Sequence, residues 1–420
     1  MDSLVNDAKS AWRREGLPYV VKNGPEHLIQ KYSPSWYSLF EYFALSREEL
    51  VSYCKKRGQI WYYDSGTQFE ISPPLNKEVP KEYEDLIGTR SIGPNFVCEV
   101  SNAKLVGPYA IPITSNRNII KETFGTSGMF QSRLRKTLQQ LGKTKSLKLL
   151  LDTPATDQNS THYNTVAHLV VRHGPNYDNP NYGHWINENL PQLQAIEHYK
   201  ESTGENVKLL INRNPPSWLR DILEYMGYSS DDWIVWNKQS AIVDKLIIPK
   251  LSYIHSFDVD PNPLGKKWAR RQALKKTDSN HSHSVSDRIF MSRQNGGRRK
   301  IKNFQEVKKK LDEFGFKIYR PENLSTKEEV DLFSQANIIV GVTGSNIAGI
   351  MFSSDAKVME IFPHNEYLHV YYTLSNELGF EYMYLTGSGE REDSDDGSIH
   401  RDIVVDIEEF EEYLIDLLEK

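Results

Sequence analysis

Three groups of residues in this chain have the types and spacing to hold a phosphate and move a proton. In the first, the apolar run Ile338-Ile339-Val340 passes through Gly341-Val342-Thr343-Gly344-Ser345-Asn346 into a second apolar run. A strand that turns sharply into a helix leaves the first-turn amides unbonded, and those amides together with the helix dipole attract phosphate. Thr343, Gly344, Ser345 and Asn346 are the candidate diphosphate-binding residues, Gly344 because it lets the backbone approach a ligand closely. Downstream, Lys357-Val358-Met359-Glu360-Ile361-Phe362-Pro363 reads as another short strand. It carries Glu360 to the same sheet edge, where a carboxylate can hold ribose hydroxyls.

The second group is Met291-Ser292-Arg293-Gln294-Asn295-Gly296-Gly297-Arg298-Arg299-Lys300, a strand end opening into a basic, glycine-containing loop. Guanidinium groups pair bidentately with phosphate oxygens, so Arg293 and Arg298, with the Ser292 hydroxyl, join the diphosphate set. The third is Tyr182-Gly183-His184-Trp185-Ile186-Asn187-Glu188-Asn189-Leu190-Pro191, which opens a helix continuing to about Tyr199. A spacing of four puts His184 and Glu188 on one helical face, where either can take a proton from an attacking hydroxyl. The plainer reading of His184 is a hydrogen-bonded residue at a helix start.

These groups need elements that bring strand ends together. From Arg288 onward, short apolar strands alternate with helical stretches up to a final amphipathic helix from Ile407. That pattern predicts an α/β, doubly wound parallel sheet with ligands at the carboxyl ends of its strands. An earlier alternation, with strands at 147–151, 167–171, 207–211 and 241–248, predicts a second parallel sheet. The expected division is an irregular appendage over 1–95, a sheet domain over 96–256, a linker over 257–286 and a second sheet domain over 287–420. The helical stretch Lys266 to Lys276 is basic: either a solvated linker face or a segment near anionic lipid or substrate. In the appendage, one helix is expected over Ser46 to Arg57.

The length of 420 residues suits two or three domains. A net charge of −5 gives no general attraction to a nucleic-acid backbone. Cys54 and Cys98 cannot form a disulfide framework. Asp258-Val259-Asp260 resembles a metal-binding acidic triad, but Pro261 and Pro263 place it in a linker, and no metal site is expected. The polar start and the absence of a run of roughly 20 apolar residues predict a soluble chain.

Taken in order, Gly183 to Pro191, Ser292-Arg293 with Arg298 to Asn303, Gly341 to Ser345 and Met359 to Pro363 resemble glycosyltransferase family 61. The resemblance covers about Tyr163 to Leu385. It implies a GT-B enzyme, two Rossmann-like domains facing a cleft, that is inverting and metal-independent and needs no cofactor beyond its nucleotide-sugar co-substrate. A hexosyl or pentosyl group would pass to a hydroxyl of a glycan or lipid-linked glycan. Arg293, Arg298 and the amides near Gly344 would then neutralise the leaving diphosphate, Glu360 would hold the ribose, and His184 or Glu188 would act as base. The implied location is cytoplasmic, extending to the inner face of the membrane.

Thr343-Gly344-Ser345-Asn346 stands where the family commonly has His-Gly-Ala-Gly, Asn303-Phe304 where it has Asn-Glu, and Glu188 where it usually has Asp. Thr343 and Phe304 motivate the alternative of a non-catalytic nucleotide- or glycan-binding scaffold. A nucleotide-sugar epimerase of the same fold is a third reading.

Overall fold

The computed structural model describes residues 44–124, 130–134, 136–137, 161–170, 180–252, 261–277, 286–364, 366–387 and 401–419. The expected strand at 147–151 and the acids Asp258 and Asp260 lie outside them. The strands are β1 (Ala44–Leu45), β2 (Ile60–Tyr62), β3 (Thr67–Ile71), β4 (Gly88–Ile92), β5 (Phe96–Val106), β6 (Ile111–Ile113), β7 (Ile119–Ile120) and β8 (Thr161–His168). They continue with β9 (Lys208–Ile211), β10 (Trp233–Val235), β11 (Ser240–Pro249), β12 (Arg288–Met291), β13 (Lys317–Tyr319), β14 (Ile338–Val342), β15 (Lys357–Phe362) and β16 (Glu381–Thr386).

The second large sheet has the order β13-β12-β14-β15-β16, and every neighbouring pair in it is parallel. In its own sequence order this is 2-1-3-4-5, a doubly wound arrangement whose strand order reverses between β12 and β14. The central strand β14, Ile338–Val342, reads as an unbroken apolar run, the pattern of a strand covered on both faces. All five residues of β14 are buried.

The first sheet departs from the all-parallel expectation. Its order is β1-β7-β6-β5-β11-β8-β9-β10, with β2 also on β5. The β11-β8-β9-β10 side is parallel, but β5 runs antiparallel to β11, β6 and β2. A buried apolar strand carries no mark of its direction. Only the connection does, and β5 returns into β6 through a tight turn with Gly107 at φ 73° and Ala110 at φ 48°.

The described part of the expected appendage is built into both sheets. Helix Arg47–Lys55 starts at Ser46, whose side chain accepts from the Glu49 amide while Glu49 caps the Ser46 N–H. β1 and β2 join the first sheet, and the stretch after the β3 strand crosses the second. There the Leu75 amide donates to Tyr382 O at 2.8 Å, and Asn76 exchanges two hydrogen bonds with the Tyr384 backbone at 2.8 and 2.9 Å. This covers the β16 edge, which would otherwise expose unpaired backbone groups. Tyr83 stacks on Tyr372 with ring centroids 4.4 Å apart.

The basic helix, here Pro263–Leu274, is likewise not a solvated linker throughout. Lys266, Ala269 and Ala273 are buried, and Lys266 forms an ion pair with the buried Glu377. A lysine can be buried where a carboxylate meets it, and that partner lies 111 residues away, beyond the reach of local pattern. One core cluster includes Ala167 and Leu209 of the first sheet, Trp185 and Ile186, and Ile339 and Val358 of the second.

Candidate active site

The site forms where β12 and β14 end side by side, with Met291 paired to Gly341 in register. This is the switch point of the second sheet, where neighbouring connections leave in opposite directions and open a crevice. Past β12, the Ser292 hydroxyl accepts from the Gln294 amide at 3.3 Å, so it braces its own loop, and the residue is buried. Arg293 bends back with Nε donating to Arg298 O at 3.1 Å and Nη1 to Asn346 Oδ1 at 3.2 Å. Asn346 is fixed in turn by donating from Nδ2 to Met291 O at 3.1 Å.

Arg298 contributes that carbonyl while its residue is exposed; the second guanidinium over the turn belongs to Arg299. Arg299 has φ 62° and donates from Nη1 to Thr343 O at 2.8 Å. A left-handed residue reverses the local path, which a reading by strand-end position alone does not reveal. Both cations crowd Gly344. At its φ of 135° an L side chain is strained, and a Cβ there would collide with Arg293 Nη1 and lie 3.2 Å from Arg299 Nη1.

The hydrogen-bond acceptors of Arg293 and Arg299 are neutral oxygens. Burial lowers the Arg293 pKa, and burial together with the Arg293 charge pushes Arg299 down to about 10. Two half-buried cations side by side disfavour each other's charge, and an anion placed between them relieves both. The turn enters a 3-10 helix, Ser345–Phe352, in place of the expected α-helix. The Ile347 amide bonds Gly344 O at 3.2 Å, so the Ser345 and Asn346 amides precede the first intrahelical bond.

Glu360 sits differently from expectation. It is the fourth of six residues in β15, fully buried, and accepts from the Tyr382 hydroxyl at 2.7 Å. The strand runs two residues further before Pro363 ends it, which leaves the carboxyl inside the sheet layer and not at the open edge. Burial pushes its pKa up to about 7, against the pull of Tyr382 and the Arg299 charge.

The His184 helix reaches this turn directly. Asn181 caps it, its Oδ1 accepting from the His184 amide at 3.1 Å and from Ser345 Oγ at 3.1 Å. The Gly183 amide donates to Ser345 Oγ at 3.3 Å. Gly183 allows this approach, since a Cβ there would lie 3.0 Å from Ser345 Oγ and 3.1 Å from the Tyr371 hydroxyl. His184 Nδ1 lies 3.0 Å from Glu188 Oε1, with Glu188 fully buried. The helix then widens into a π-turn over Trp185–Asn189 and tightens to a 3-10 turn at Leu190–Gln192. Pro191 explains the change: it has no N–H to give and its ring would clash with the carbonyl four residues back, at Asn187.

Behind the helix start, the Tyr182 hydroxyl donates at 2.7 Å to Glu329, a carboxyl pushed up to about 7 by burial. The structure thus brings His184, Glu188, Arg293, Thr343, Gly344, Ser345 and Asn346 together. It adds Asn181, Arg299 and Tyr371, of which only Arg299 stood in a motif singled out from sequence.

A family model described as Glycosyltransferase 61 matches residues 182–359. Over this stretch the chain is similar to the glycosyltransferases of family 61. The match starts at the helix bearing His184 and spans the Arg293 loop and the Gly344 turn, so Gly183, His184 and Ser345 lie within it and Asn181 is the residue just before it. Glu360 is the first residue beyond it. No curated protein matches the chain. Among the described residues, no group of three or more His, Cys, Asp or Glu is arranged to hold a metal ion, and no helix is long and apolar enough to cross a membrane.

Proposed function

We propose that this chain transfers a sugar from a nucleoside diphosphate donor to a hydroxyl of a glycan or lipid-linked glycan, with inversion and without a metal ion. In this reading the two sheets are the halves of a GT-B enzyme, working in the cytoplasm or at the inner face of the membrane. The observation that carries it is the meeting of two unlike groups: the Arg293–Arg299 pair over Gly344, and the His184–Glu188 pair hydrogen-bonded at 3.0 Å.

An ionised Glu188 can only accept, so the imidazole proton rests on Nδ1 and the Nε2 lone pair serves as base. The acceptor O–H gives its proton to Nε2 as its oxygen bonds the anomeric carbon from the side opposite the leaving group. The anomeric C–O bond to the diphosphate breaks, and its electron pair departs on phosphate oxygen. Arg293, Arg299 and the Ser345 and Asn346 amides stabilise that developing charge. Glu360 takes no ribose contact here; it lies behind Arg299 as a partial counter-charge.

The test is a panel of nucleoside diphosphate sugars incubated with the full chain, with and without glycan acceptors, scoring binding and nucleotide release together. Acceptor-stimulated release of at least one nucleotide is expected. Tight binding with no release under any acceptor would assign the chain as a binding scaffold, and an acceptor-independent change in the donor sugar would assign an epimerase.

A further inference from the structure

The exposed side of the Pro263–Leu274 helix faces a cavity of about 430 Å³ lined by Tyr63, Asp64, Gln194, Leu264, Lys267, Arg270 and Arg271. Its volume falls within the range of small-molecule sites. Three cations face one carboxylate, and that carboxylate is engaged: Asp64 accepts from the Gly66 amide at 2.8 Å and from the Asn95 amide and side chain at 2.9 and 2.8 Å.

Arg270 is also engaged, reaching the Ser353 and Leu378 carbonyls at 3.4 and 3.5 Å where two helices end. Lys267 and Arg271 are exposed and four residues apart, so their charges project from one helical face. Gln194 Oε1 is buried without a hydrogen-bond partner and belongs to the cavity wall. Tyr63 adds a flat aromatic face of the kind that packs against sugar rings, and Leu264 adds apolar surface beside it. Gln194 follows His184 by ten residues on the same helical rod, about 15 Å along its axis. That separation exceeds one sugar ring, so a ligand spanning both places is an oligosaccharide.

We propose that this cavity binds an anionic saccharide, a sugar bearing a phosphate or a carboxylate, and so recruits the acceptor; the acceptor role rests on the transferase reading, whereas the binding does not. Calorimetric titration of the full chain with glucose 1-phosphate, glucuronate, glucose and inorganic phosphate tests it. The titrations are repeated in Arg293→Ala/Arg299→Ala and in that variant carrying Lys267→Ala/Arg271→Ala as well. With the proposed diphosphate seat removed by Arg293→Ala/Arg299→Ala, glucose 1-phosphate or glucuronate is expected still to bind, and adding Lys267→Ala/Arg271→Ala to that background is expected to weaken it ten-fold or more, with glucose not binding.

Unchanged affinity when Lys267→Ala/Arg271→Ala is added, or no binding to Arg293→Ala/Arg299→Ala, overturns the proposal. Inorganic phosphate binding as tightly as glucose 1-phosphate overturns the saccharide assignment. Nucleoside diphosphate binding to the wild type keeps the two readings apart: should nucleotide fail to bind while glucose 1-phosphate still depends on Lys267 and Arg271, only the transferase reading falls.

Discussion

The two halves of the site handle charge in opposite ways. In the His184 helix, the imidazole is matched to a buried carboxylate on the same face, four residues on. In the loop and turn of the second sheet, Arg293 and Arg299 are gathered half-buried against neutral oxygens, with Glu360 sealed behind them. A matched pair needs no ligand to be stable and is suited to passing a proton. An unmatched pair of cations waits for an anion. Asn181 ties the halves together, accepting at 3.1 Å from both the His184 amide and Ser345 Oγ, and in the proposed reading this sets the proton acceptor beside the anion seat.

The largest effect is expected on the matched side. Replacing His184 with Ala removes the base, and turnover should fall by about 10²–10⁴. Nucleotide affinity should stay within about two-fold, since the anion seat is untouched. Parallel steady-state kinetics and calorimetry check this, and a common loss of both would erase the division of labour between the halves.

The next effect concerns Glu360. Its pKa in the folded chain is raised from 4.5 to about 7 by burial. The folded state therefore holds its proton more tightly than the unfolded state, and the stabilisation is complete below 4.5 and lost as pH rises through 7. The shift corresponds to about 3 kcal/mol. Glu360→Gln should remove that slope, making the variant less sensitive than wild type to a change from pH 5 to pH 8 in urea denaturation. Equal slopes would mean that the carboxyl is already ionised at pH 5, matched after all by Arg299.

These contrasts also show what the sequence could and could not reveal. The second sheet was legible because each apolar run is short and separated from the next by a helical stretch. The His184–Glu188 contact was legible because helical spacing alone dictates it. Strand direction at β5 was not, since apolar periodicity is the same either way along the chain. The choice between Arg298 and Arg299 depends on one left-handed residue, the depth of Glu360 on how far β15 continues, and the burial of Lys266 on Glu377 far along the chain. Each of these is a tertiary fact with no local signature.

The most direct measurement is the affinity of a nucleoside diphosphate, drawn from a panel of bases, for wild type and for Arg299→Ala. Loss of a charge-assisted contact to phosphate is worth about 1.5–3 kcal/mol, so binding should weaken by roughly ten-fold to over a hundred-fold. Undiminished affinity in Arg299→Ala, with the variant folded, would contradict the assignment of the Gly344 turn as the diphosphate seat.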